Sequence, residues 1–178
     1  MARAISFGLF ALAFVAMWVE AGILYPHLPA RFPAHFDIHG APDRWDPTTA
    51  FNWFLLPAIG TALAFLLAGI AAALPVLFHR WPSIVNIPRK AQFMALPPQG
   101  RERVVTEVSV MLALTGAVML GLFCQILYAT AQVAQGARAT APLWPALAAI
   151  GVILVIVFIG QFRIGQRITI ESAIAYRE

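Results

Sequence analysis

The chain has 178 residues, 61% of them hydrophobic and only 11% charged, against roughly 25% charged residues in ordinary soluble domains. Its mean hydropathy of +0.79 exceeds what a domain of this size can bury, which excludes a disordered chain and argues against a water-soluble enzyme. A single cysteine, Cys124, excludes a disulfide framework and a multi-cysteine metal site, and the formal charge of +4, dispersed among apolar runs, points to anionic lipid headgroups before nucleic acid.

The pattern predicts an all-α integral membrane bundle of four transmembrane helices with an ordered, proline-rich outer loop, as one domain over residues 1–178. A bilayer core of about 30 Å takes about 20 helical residues. The first run, 5–24, has that length and is continuous in hydrophobicity rather than alternating as a barrel strand would be. A competing reading takes Arg3, this run and Val19-Glu20-Ala21 as a cleavable signal peptide, and leaves the next loop outside the membrane all the same. Glu20 lies about 6 Å inside the outer boundary of the run at 1.5 Å per residue. An ionisable group at that depth is costly and takes a partner or a task.

The loop 25–51 follows. Pro26, Pro29, Pro33, Pro42 and Pro47 forbid a continuous helix and favour extended segments joined by turns. Gly40 admits a positive φ, and Ala41-Pro42-Asp43 has the chemistry of a tight turn. Phe32, Phe36 and Trp45 give the loop something to pack. The second run, 52–78, is long enough to require tilt, and carries Pro57, Gly60, Gly69 and Pro75, which permit kinks or close helix approach.

In the loop 79–103, Ile84, Val85, Ile87, Phe93, Met94 and Leu96 mix irregularly with Arg89, Lys90 and Gln92, as in a segment lying along anionic headgroups. The third run is 104–129, and Glu107, one turn after Arg103, predicts a local ion pair at its start. Within that run Ser109 and Thr115 are expected to bond to the helix backbone or a neighbour, and Cys124 reads as a small apolar residue. The fourth run is 144–162, followed by a tail, 163–178. Trp53, Trp81, Tyr128 and Trp144 stand near run ends, where aromatic belts form. Of the 12 basic residues, all but Arg31, Arg44 and Arg138 fall on one side of this arrangement. The positive-inside bias therefore predicts cytoplasmic termini, a cytoplasmic second loop and an outward-facing loop 25–51.

The string LPARFPAHFDIHGAPDRW carries a Leu-Pro pair (Leu28, Pro29), a Pro-x-His (Pro33, His35) and a Gly-x-Pro-Asp-x-Trp turn (Gly40, Pro42, Asp43, Trp45) just after the first run. It resembles a bacterial membrane-domain family of unknown function that includes the N-terminal part of the immunity protein of the Sdp killing-factor system. A second stretch, NIPRKAQFMALPPQGRERV from Asn86, is similar to the cytoplasmic-loop pattern of stand-alone members. The resemblance implies a bacterial multi-pass membrane protein of unassigned activity. In that family the Sdp immunity protein looks like a toxin-binding membrane receptor that also sequesters a transcriptional repressor, with further spans after this domain, and what the resemblance implies for this chain is an expectation of that kind.

Two constellations are candidates for chemistry. In an extended segment His35, Asp37 and His39 share one face and would converge on a divalent metal, with His27, Asp43 and Asp46 near enough in sequence to complete the shell. The plainer reading has His35 bonding within the loop. Glu20, Asn52 and Gln125 fall at one membrane level and predict a polar cluster beneath the loop, with Arg31 or Arg44 reaching down to Glu20. The chain carries no Gly-rich phosphate loop, paired catalytic carboxylates or serine–histidine arrangement.

The resulting expectation is a non-enzymatic sensor or immunity-type receptor without a cofactor. Its expected partners are membrane lipids, an extracytoplasmic peptide or small ligand and a cytoplasmic regulator, with no direct nucleic-acid binding. The alternatives are a small proton-coupled transporter using Glu20 and a metal-dependent enzyme on the outer face.

Overall fold

The computed structural model describes residues 1–81 and 87–176. Ile84, Val85, Asn86 and Arg177, invoked above, lie outside the described residues. In chain order the elements are α1 (Ala2–Leu24), a 3-10 turn (Tyr25–His27), β1 (Arg31–Phe36), β2 (Pro42–Pro47), α2 (Ala50–Arg80), α3 (Lys90–Ala95), α4 (Pro98–Ala134) and α5 (Trp144–Ala175). The four long helices are each long and apolar enough to cross a membrane, as the continuous apolar runs predict.

These helices outrun the spans read from hydropathy. The 37 residues of α4 extend about 55 Å at 1.5 Å per residue, well beyond an apolar layer of about 30 Å. Its added first turns carry Arg101, Glu102 and Arg103, which hydropathy cannot count as membrane although they are good helix formers. The tail after 162 is likewise helix as far as Ala175, and buries Ile164, Ile168 and Glu171. Positions 164, 168 and 171 share one face of a helix, so this overhang has its own packing stripe.

α4 is the common neighbour, with α1, α2 and α5 all packed against it. The core nearer the β-hairpin gathers Phe10, Met17, Ala21, Phe32, Trp53, Ala64, Leu120 and Leu127. At the opposite end, Leu74, Phe78, Ile87, Phe93, Leu96, Val104, Ile164 and Ile168 form a second core. Ile87, Phe93 and Leu96 are thus turned into the protein, where a lipid-facing segment was expected; Met94, Arg89, Lys90 and Gln92 remain exposed. Arg89, in the left-handed region at φ 54°, starts α3, and its guanidinium donates to the Thr169 hydroxyl of α5.

Helix approach depends on small residues. A β-carbon at Gly60 would stand 2.7 Å from the Phe123 ring, and one at Gly116 would stand 3.0 Å from Phe10, so neither position accepts a side chain without displacement. The prolines inside α2 also have specific consequences. Pro75 has no N–H, which deprives the Ala71 carbonyl of its helical donor; the Ser109 hydroxyl of α4 donates to that carbonyl instead, at 2.8 Å. Thr115 bonds its own helix, at Met111 O. Both meet the expectation for these hydroxyls.

The ion pairs differ from the local pair expected. Arg103 makes a two-pronged contact to Glu171 of α5, at 2.7 and 2.8 Å. Glu107 lies 3.3 Å from both Arg163 and Arg167 of α5. The i,i+4 reading of Arg103 and Glu107 loses because α5 continues past the apolar layer and brings opposite charges across to α4.

Candidate functional site

The loop 25–51 is an antiparallel hairpin, β1 on β2, with Arg31 opposite Pro47, Pro33 opposite Trp45 and His35 opposite Arg44. The register is irregular between Pro33 and Phe36, where Pro33 cannot donate to a ladder. The reversal lies over Asp37–Ala41, earlier than the Ala41-Pro42-Asp43 turn expected, and Pro42 and Asp43 already belong to β2. Asp37 builds it. One carboxylate oxygen accepts from the amides of His39 and Ala41, each at 2.8 Å. Those two bonds, that to Ala41 foremost, hold the Asp37 pKa below its ordinary carboxylate value.

Gly40 meets two demands at once. It takes φ +77°, and its carbonyl accepts from the Ala141 amide at 2.8 Å, so that an added β-carbon would collide with the Ala141 carbonyl. The loop between α4 and α5 is thereby fastened onto the hairpin. At the opposite end, the Thr48 hydroxyl donates to Pro29 O at 2.6 Å, and Arg31 donates to Trp45 O at 2.6 Å. Thr49 caps α2 by accepting from the Asn52 amide.

Much of the loop motif builds this hairpin. Leu28 packs on the first core, Pro33 is buried, and the Trp45 carbonyl closes the Arg31 bond. His35 Nδ1 and Asp43 Oδ1 meet at 2.6 Å across the strands. The expected metal face does not form: among the described residues no three His, Cys, Asp or Glu side chains are grouped to hold an ion. The strand alternation needed for it ends at Phe36; Asp37 is consumed by the turn and His35 by Asp43.

The polar cluster also resolves differently. Glu20 of α1 is met by Cys124 of α4, whose thiol donates to Oε2 at 2.6 Å. Asn52 instead donates to Pro47 O at 2.9 Å, and among the described residues Gln125 has no side-chain bond to either. Arg31 and Arg44 remain at the hairpin, Arg44 facing Asp46 at 3.7 Å. Both arginines have acceptors within their own strand pair, so neither descends to the membrane carboxylate. Cys124, read from sequence as apolar, is therefore the polar partner that was missed. Its spacing across two helices leaves no local signal.

Beneath the hairpin the structure opens a cleft of about 230 Å³ between the strands, α2 and α4. Phe32, Pro33 and Trp53 form its buried wall, with Phe32 edge-on to Trp53 at 5.5 Å. Trp53 is fixed by donating its indole N–H to Ala21 O at 2.9 Å. Leu55, Ile59 and Ile126 continue the cleft down the α2–α4 groove, while Arg44, Asp46 and Asn52 border it at the hairpin end. An apolar trough with a zwitterionic rim suits an amphiphile: one part loses water against the wall while the other keeps its polar partners.

Residues 12–61 match the family described as Domain of unknown function (DUF1648). That stretch covers most of α1, the hairpin and the first turns of α2; it includes the hairpin and α2 walls of the cleft but not the α4 wall of Ile126, Leu127 and Thr130. Neither a curated protein nor a solved structure matches the chain.

Proposed function

We propose that this is a non-enzymatic receptor of the bacterial cell membrane that binds a small amphiphilic ligand beneath its outward-facing hairpin. The observation that carries the reading is the cleft between hairpin, α2 and α4, apolar within and charged at its rim. The outward direction is supported by the basic residues of the other end, Arg3, Arg80, Arg89, Lys90, Arg101, Arg103, Arg163 and Arg167, which favour a cytoplasmic setting with both termini inside. A ligand seated against Ile59 and Ile126 bears on the α2–α4 packing, and α4 carries any shift to the far end of the bundle. The resemblance to the Sdp immunity protein supports an immunity or signalling use, with the basic end presented to a cytoplasmic regulator.

A photoreactive amino acid at Leu55 tests this in native membranes. The control is Leu63, on the same helix, equally exposed at 45% and outside the cleft. Position 55 is expected to capture a discrete amphiphile that position 63 does not. Identical bulk lipids at both positions would overturn the reading.

A second reading, proton-coupled transport, draws on Glu20, a membrane-level carboxylate whose partner is a thiol rather than a cation. Its expectation is that Glu20→Gln abolishes a proton-driven flux in vesicles while the protein stays folded. A flux that survives the substitution would dismiss it.

A further inference from the structure

At the end of the bundle away from the hairpin, the last turns of α2 and the first turns of α4 diverge around a second cleft, of about 570 Å³. Pro75, Val76, Phe78 and Val105 give it an apolar wall, and His79, Arg80, Arg101 and Glu102 supply its polar part. Phe78 and Val105 are buried, whereas Val76 is 64% exposed and leaves the apolar side open laterally. Among the described residues, His79, Arg80 and Arg101 take part in no ion pair. This sets them apart from Arg103, Arg163 and Arg167, which are engaged with Glu171 and Glu107.

We propose that this cleft is a binding site for the phosphodiester of an anionic phospholipid. Arg80 and Arg101 stand on different helices and line the same space, as a site for a phosphate between two helix ends requires. The charges of Arg80 and Arg101, less that of Glu102, leave one formal positive charge, which matches a singly charged phosphodiester. Glu102 opposes a second negative charge and accepts hydrogen bonds from headgroup hydroxyls. Half-buried Pro75 and exposed Val76 continue the cleft toward the bilayer, where an acyl chain has an apolar surface to follow. A lipid held here ties α2 to α4 at the end opposite the hairpin. The inference rests on the membrane fold and stands apart from the receptor reading.

The test is native mass spectrometry of the full chain released from nanodiscs of phosphatidylglycerol, phosphatidylcholine or an equal mixture, with inorganic phosphate as a separate addition. One phosphatidylglycerol is expected to be retained in preference to phosphatidylcholine. Arg80→Gln with Arg101→Gln is expected to lower that retention about thirtyfold, since each basic residue near anionic headgroups contributes about fivefold. Arg138→Gln, an exposed arginine at the hairpin end, leaves retention unchanged. Glu102→Gln admits a doubly charged phosphatidic acid that the parent protein disfavours. Among the described residues Arg80 and Arg101 have no ion pair to lose, and retained helical circular dichroism verifies folding of the double variant. Displacement by millimolar inorganic phosphate would assign the site to a soluble phosphate and overturn the lipid assignment. Equal retention of the two lipids, or retention unaffected by the double variant, would overturn the site itself.

Discussion

The bond between Ser109 and the carbonyl of Ala71 makes a prediction whose size follows from the geometry. Pro75 cannot donate to Ala71 O, so the Ser109 hydroxyl, fully buried and 2.8 Å away, is the donor that α4 provides. Ser109→Ala removes it and leaves a carbonyl in an apolar interior. In a water-soluble core such an orphan costs about 1–3 kcal/mol; between membrane helices the measured scale is about 0.6–1.7 kcal/mol, because the unassembled helices also find partners. The expected cost is therefore about 1 kcal/mol, roughly a fivefold fall in the folding equilibrium constant. Pro75→Ala returns an N–H to the helix, and in that background Ser109→Ala should cost almost nothing. The coupling, about 1 kcal/mol, is read from a double-mutant cycle of four proteins by steric trapping or detergent unfolding titration. An equal cost in both backgrounds would refute the assignment of Ser109 as the replacement donor for Pro75.

Gly40→Ala should detach the hairpin from the loop at Ala141, because it demands φ +77° of a residue with a β-carbon and sends that carbon into the Ala141 carbonyl; accelerated amide exchange at Ala141 with unchanged helical content is the expected reading. Asp37 has a lowered pKa through its bonds to the Ala41 and His39 amides. Its contribution is accordingly complete above the ordinary carboxylate value, about 3.9, and is lost as pH falls through the lower folded value. The His39 and Ala41 amide resonances should titrate together below about pH 4, and this titration should vanish in Asp37→Asn; a midpoint at or above the ordinary value contradicts the turn geometry. Arg103→Ala leaves Glu171, only 3% exposed at its side chain, without its two-pronged partner. With Arg103 itself half in solvent, the expected loss is about 2 kcal/mol, below the 3–5 kcal/mol of a wholly buried pair. Restoration of stability by Glu171→Gln in the same chain is the check.

How far the sequence could be read depended on whether a feature was local. Four continuous apolar runs predicted four helices because membrane insertion depends on the composition of each segment, and the prolines of 25–51 predicted an ordered non-helical loop for an equally local reason. Helix ends were less legible. Hydropathy stops where charge begins, yet a helix does not: Ile164, Ile168 and Glu171 continue on one face beyond the apolar run. Their 4- and 3-residue spacing was a usable signal. Extending the helix would also have exposed the competition for Arg103 between Glu107, one turn away, and Glu171, 68 residues away.

Pairings across helices had no such signal. Cys124 and Glu20 are 104 residues apart, and their meeting depends on how deeply α4 and α1 interdigitate, which small residues such as Gly116 decide. The projected metal face failed because it assumed that strand alternation persisted through Asp37, where the backbone instead turned back on the carboxylate. The most distinctive string in the sequence is, for the most part, a prescription for architecture. Gly40 supplies the reversal, Pro29 O receives Thr48, and His35 with Asp43 joins the strands. Arg44, Asp46, Leu55 and Ile126, which line the cleft, lie outside that string's motif positions. Of the motif positions only Pro33 also lines the cleft, so apart from it, binding at the cleft and construction of the hairpin are separable by mutation: the other motif residues set whether the hairpin seats, and the lining residues set what it covers.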